Sequence, residues 1–361
     1  MKKILLLLLL CVIVPQVSSQ TLKPGFDKVE YIQLLRAFTR WGDSTYYAKI
    51  IESKVYKKRN LKYRSDDLGL KNAWELYETP THSVISIRGS TSESLSWMAN
   101  FYAAMIPAQG RLQLNDSTSF DYHFADNPNA AVHAGWTVAS AYLLLDIVPK
   151  IRAQYAKGKR SFIIFGHSQG AAIAYYVTMQ IKYYQKTGQL PTDIQLKTYC
   201  SAPPKPGNQY FAYEYELATQ FGWSLSVVNP ADWVPESPIS IQTINDFNAE
   251  SPFRRSKELI SKQPFPRNIL MSMMQNKLTK HNRKAVKKYK KFLGKIVTKI
   301  IQRKLPGFEG PKFLDCSYYV RTGTMVILNP DEAYYKLFPK NDENMFVHHG
   351  AMAYIKLAEK L

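Results

Sequence analysis

The stretch FIIFGHSQGAAIAY (162–175) limits the fold of this chain more than any other. SFIIFG (161–166) is a short apolar run that predicts a buried strand, and residues 170–184 carry helical patterning. Between them stand Gly166-His167-Ser168-Gln169-Gly170, a serine flanked by glycines where strand must turn sharply into helix. The spacing G-x-S-x-G suits a nucleophile on a strained turn, because residues two positions to either side must be small. Such a turn lifts the serine Oγ above the sheet and aims the next N–H, that of Gln169, at a developing oxyanion near a helix N-terminus. The pattern alone also occurs in structural turns. The strand before it and the helix after it favour the catalytic reading.

Other segments extend the same alternation. Val29, Ile32, Leu34, Leu35, Phe38 and Trp41 recur at helical spacing across 28–41. THSVISIRGS (81–90), IQLKTYCSA (194–202) and SLSVVN (224–229) predict strands, residues 134–152 a helix, and SYYVRTGTMVIL (317–328) a hairpin or bent strand around Gly323. Strands alternating with helices predict an α/β layer structure with a largely parallel sheet.

The N-terminus reads as a segment to be removed. MKK supplies positive charge, ILLLLLLCVIV an apolar run and VPQVSSQ small residues at Val17 and Ser19, which predicts a signal peptide over 1–19 and export to the periplasm or exterior. The run is short for a membrane anchor. Cleavage leaves Cys200 and Cys316, which are free either to pair in an oxidising compartment or to stand as buried thiols. Neither has the company of a metal motif, and no cofactor is called for.

Charge is local. Of the net +20, +16 falls in 253–304, where 17 Lys or Arg meet one acid, Glu258. Ala285, Val286, Tyr289, Phe292, Leu293, Ile296, Val297, Ile300 and Ile301 form a helical stripe there, with lysines elsewhere on the helix. The segment 246–315 reads as a basic, mainly helical insertion in a domain spanning 20–361.

A serine nucleophile needs a histidine held by a carboxylate. Downstream, Asp232 in SVVNPADWVPESP follows a strand in a proline-bounded turn, though taken alone it reads equally well as a turn or cap residue; Asp193 and Asp246 have less context. His281 lies in the basic segment. His348 and His349, in FVHHGAMAYIKLAEK, sit just before a final helix, and the residues alone do not separate them.

Several segments, in order, resemble the class 3 lipases, the α/β-hydrolase family that includes the fungal triacylglycerol lipases: ISIRGSTSESLSWMANF (85–101), VHAGW (132–136), FGHSQGAA, SAPPKPGN (201–208), VVNPADWVPESP, and His349 with Tyr354. The resemblance spans roughly 85–354. It implies an α/β-hydrolase fold with a mostly parallel central sheet and an inserted basic helical cap. It also implies a carboxylic ester hydrolase with Ser168 as nucleophile, Asp232 as acid and His349 as base (His348 the alternative), working without metal or organic cofactor. Ser90, after Arg88-Gly89, matches the second oxyanion position beside Gln169, and His133 a supporting one. Residues 92–107 match the lid position; Leu95, Trp97, Met98, Phe101 and Met105 would give a lid an apolar inner face, and an ordinary buried helix is the plain alternative. Gln169 and Ala171 stand where the family has leucine and glycine, SAPPKPGN lacks a first glycine, and the 117 residues from Asp232 to His349 exceed the family's usual connection.

The function expected is therefore an exported serine esterase cleaving acylglycerol or phospholipid esters through an acyl-enzyme. Two alternatives are a small-ester or feruloyl-type esterase, and a non-catalytic protein binding lipid or anionic surfaces on the same scaffold. Residues 253–304 predict peripheral contact with anionic membrane, or else a cap packed by its stripe with the lysines solvated. Export and the want of a recognition motif speak against nucleic acid. Nothing in the sequence bears on oligomeric state.

Overall fold

The computed structural model describes residues 22–42 and 52–361; the signal peptide expected over 1–19 lies outside them. Eleven strands are present among the described residues: β1 Leu61–Arg64, β2 Trp74–Glu78, β3 Ser83–Ile87, β4 Met105–Pro107, β5 Gln109–Asn115, β6 Thr118–His123, β7 Ala131–His133, β8 Ser161–His167, β9 Gln195–Ser201, β10 Ser224–Val228 and β11 Thr324–Ile327. Seven form the central sheet in the order β1-β2-β3-β8-β9-β10-β11. β2 pairs antiparallel with both β1 and β3, and every pairing from β3 to β11 is parallel. β4 with β7 and β5 with β6 make two small antiparallel ribbons.

Among the described residues ten α-helices accompany the strands: α1 Lys28–Phe38, α2 Ser94–Phe101, α3 Ala134–Ala156, α4 Gln169–Lys186, α5 Gln209–Ala218, α6 Ser256–Ser261, α7 Arg267–Lys290, α8 Val297–Gln302, α9 Glu332–Leu337 and α10 Ala351–Ala358. β8 shows why the sheet needs cover on both faces. All seven of its residues are buried, and successive side chains point to opposite sides. Phe162 and Ile164 enter the core under α3 and α4, whereas Ile163 and Phe165 enter the core closed by α1 and α10. The mostly parallel sheet with helices on both faces is the α/β-hydrolase arrangement expected from the sequence.

Two expectations change. Residues 317–328 are not a hairpin. Only β11 joins the sheet, parallel to β10. Gly323, at φ 82°, marks its start, and Ser317 and Val320 leave the sheet to bridge Ile241 and Gly207. The apolar stripe of the basic segment does not run continuously inward either. A π-helical turn at Lys291–Ile296 separates α7 from α8 and breaks the 3.6-residue period. Val286, Val297 and Ile301 are buried, but Phe292, Ile296 and Ile300 face outward. Cys200 is buried within β9 and Cys316 bonds Asp246; both thiols are free.

Candidate active site

The turn between β8 and α4 has the backbone its sequence demands. Ser168 sits at φ 61°, ψ −131°, a region unfavourable to any residue with a β-carbon, and its N–H is held by Ser201 O at 2.9 Å. Both flanking glycines are required by contact. A Cβ on Gly166 would lie 2.2 Å from Gly170 O, and one on Gly170 2.3 Å from Ile87 O. Gln169 opens α4, so its N–H has no acceptor within the helix and adds to the positive end of the helix dipole.

Asp232 and His349 meet across 117 residues. His349 Nδ1 donates to Asp232 Oδ2 at 2.7 Å, and Tyr354 Oη donates to the same oxygen at 2.8 Å. The Val234 N–H bonds Asp232 Oδ1 at 3.0 Å. Burial pushes the Asp232 carboxyl up, but these donors outweigh it and hold the group below the usual carboxylate range. His348 turns elsewhere: Tyr334 Oη donates to its Nδ1 at 2.9 Å. The adjacent histidines that the sequence left unresolved are thus separated by their partners.

His167, a variable position of the G-x-S-x-G pattern, was not singled out from sequence. Burial depresses its pKa to about 3, with the nearby His349 adding to the effect, so the ring is neutral. Its Nε2 bonds His349 O at 2.9 Å and its Nδ1 bonds Ser201 Oγ at 2.9 Å. A carbonyl only accepts, so Nε2 carries the proton and Nδ1 accepts from Ser201, whose oxygen in turn accepts from Tyr31 at 2.7 Å. This chain fixes the backbone of His349 from α1.

A second network centres on Asn100, also unmarked by the sequence. The Trp136 indole, which can only donate, reaches Asn100 Oδ1 at 3.0 Å, and Gln169 Nε2 reaches the same oxygen at 2.9 Å. Asn100 Nδ2 is thereby left to donate to Ser90 Oγ at 2.9 Å. Neutral His133, its pKa lowered to about 3 by burial, bonds Asn100 O at 3.1 Å and stacks on Trp136. Gln169 Nε2 also bonds Ser96 O, so α2 is tied by polar bonds to the nucleophile turn. Of the apolar face expected of 92–107, Trp97 and Phe101 line the cavity described next, Leu95 and Met98 pack on the core, and Met105 belongs to β4.

Ser168, Ser90, Gln169 and His349 all line one cavity of about 870 Å³. Its walls are mostly apolar, with Trp97, Phe101, Trp233, Ile239 and Phe346 among them. Tyr289, from the end of α7, and Leu293, from the π-turn, complete the wall, so the basic insertion reaches the site. No side-chain hydrogen bond joins Ser168 to His349 in this structure. The two face the same space.

Residues 84–241 match the family model described as lipase (class 3). Over that span, somewhat less than half of its length, the chain is similar to the class 3 lipases. None of the curated proteins matches its sequence. Among solved structures it resembles a fungal lipase in complex with an inhibitor, at 16% identity over 58% of this chain and 74% of that one, TM-score 0.43. Lipase II from Rhizopus niveus aligns at 19% identity over 60% and 78% of the two chains, TM-score 0.41. The triacylglyceride lipase of Rhizomucor miehei aligns at 17% over 60% and 77%, TM-score 0.41. Likeness at that level says nothing about the substrate of this chain.

Proposed function

We propose that the protein is an exported lipid esterase in which Ser168, His349 and Asp232 form a catalytic triad. The pairing of His349 with Asp232, in the cavity that Ser168 also lines, carries the reading. Asp232 holds the Nδ1–H tautomer and stabilises the imidazolium once formed, which leaves Nε2 to take the Ser168 proton. Ser168 Oγ then attacks the ester carbonyl. The oxyanion accepts from the Gln169 N–H and from Ser90, whose Oγ already accepts from Asn100 and so has its own proton to donate. His349 returns the proton to the departing alcohol; water, deprotonated by His349 in turn, releases the acid and restores Ser168.

The apolar cavity supports a lipid acyl chain over a small polar ester. Export is read from the apolar N-terminal run; among the described residues no helix is long and apolar enough to cross a membrane. The test is hydrolysis of short- and long-chain nitrophenyl esters by the mature protein and by Ser168→Ala. The expected result is activity that rises with chain length and falls by roughly 10⁴-fold or more in the variant. No hydrolysis by the folded protein, with an active-site phosphonate failing to label Ser168, would overturn it.

A further inference from the structure

The stripe singled out by sequence, 285–301, turns partly inward, but another apolar surface on the same insertion does not. Ile269, Leu270, Met273, Met274 and Leu278 on α7 are exposed, Leu278 by 76%, and Phe265 beside them by 78%. Met271, Gln275, Thr279, Val286 and Tyr289 mark the other face of the helix, none of them exposed. At 3.6 residues per turn, Ile269, Met273, Lys277, Lys280, Lys284, Lys287 and Lys291 follow one another in steps of three and four. They form one outward line, apolar over its first turns and basic over the rest, along a helix of about 36 Å.

We propose that this outward face of α7 docks on an anionic phospholipid bilayer, apolar half in the acyl boundary and lysines on headgroup phosphates. The lysines are available for it. The ion pairs of the segment are those of Arg255 and Lys262 with Glu258, of Arg255 with Glu250, and of Lys290 with Asp315. Lys277, Lys280, Lys284, Lys287 and Lys291 have no carboxylate partner among the described residues. A contiguous exposed apolar patch flanked by uncompensated positive charge matches a bilayer surface in both respects. A second copy of the chain would set like charge against like. A nucleic acid would suit the lysines and leave Leu270, Met274, Leu278 and Phe265 without a partner. The opposite face of α7 carries Tyr289 to the cavity wall.

The docking does not depend on the proposed reaction, and its test needs none. The full-length mature protein carrying Ser168→Ala is sedimented with phosphatidylcholine vesicles and with vesicles containing phosphatidylglycerol, at low and high salt. One variant combines K277Q, K280Q, K284Q, K287Q and K291Q; another combines I269S, M273S, M274S and L278S. None of these residues lines the cavity, and the same substitutions on the Ser168 background report folding through circular dichroism. Binding to the phosphatidylglycerol vesicles is expected, weakened by salt, roughly 100-fold weaker in the lysine variant and about 10-fold or more weaker in the apolar one. Equal binding to both vesicle types, or binding that neither folded variant alters, would overturn the proposal. So would vesicle binding absent alongside a dimer that the serine substitutions dissolve, or alongside duplex DNA binding that they leave unchanged.

Discussion

Asn100 orients Ser90 because its own orientation is decided by Trp136 and Gln169, two donors that leave its Nδ2 only one use. Asn100→Ala frees the Ser90 hydroxyl to rotate and leaves the buried Gln169 Nε2 only its bond to Ser96 O. The expected outcome is a fall in kcat of about 10-fold or more, short of the 10²–10³ that loss of an oxyanion donor itself costs, with KM nearly unchanged. A purely structural role would lower the thermal midpoint and leave kcat per folded molecule intact, which steady-state kinetics beside thermal unfolding distinguishes. The paired histidines offer a sharper contrast. His349→Ala is expected to remove roughly 10⁴-fold of kcat/KM, whereas His348→Ala, which loses a bond to Tyr334, retains activity within about 10-fold. Similar losses in both would sink the assignment. Ser168 and Asp232 were legible because each sits in a locally unusual segment, a glycine-flanked turn and a proline-bounded one. Asn100, His167 and Tyr31 were not, because their work is done at residues 10, 182 and 170 positions away and nothing in their own surroundings marks it.

At the scale of elements, β8 and α4 were readable almost to their ends because burial on both sheet faces leaves the middle of the strand, Phe162 to Phe165, without a polar position. β1 and the ribbons β4–β7 and β5–β6 escaped notice, being short or mixed in polarity, so that pairing rather than pattern defines them. The elbow between β8 and α4 yields a direct test: Gly166→Ala sets a Cβ against backbone that cannot retreat, and a loss of about 3 kcal/mol in chemical denaturation is expected. The π-turn is the other element that sequence periodicity could not show, since it consists of a departure from the period. Its consequence is that Leu293 reaches the cavity while Phe292 stays outside, and Leu293 O accepts the Ala104 N–H at 3.2 Å. Leu293→Trp fills part of the cavity from that side. Activity on long-chain esters should fall about 10-fold relative to short-chain esters, and an unchanged chain-length ratio would mean that acyl chains lie elsewhere.

Over the whole molecule, the two networks beneath the site also set how the fold responds to acid. His133 and His167 are fully buried and neutral, with pKa values near 3 in the folded protein against about 6.5 for an unconstrained imidazole. Between those values the unfolded chain binds protons at both positions and the folded one does not, so stability rises with pH through the window and levels off above it. Each group contributes about 1.4 kcal/mol per pH unit, giving a combined slope of roughly 3 kcal/mol per unit near pH 5. Asp232 acts in the same direction but lower down. Its folded pKa is depressed, so its contribution is complete above the unfolded value and is lost as pH falls through the folded one. A chain already carrying +20 gains further positive charge in the same range, which adds self-repulsion to the loss. Urea unfolding at intervals from pH 4.5 to 7.5 measures the slope directly. His133→Asn, which removes one proton site and keeps a polar side chain, should roughly halve it without shifting the plateau pH. A flat profile across that range would mean that neither imidazole is held neutral, and with it would go the acceptor role of His167 Nδ1 toward Ser201.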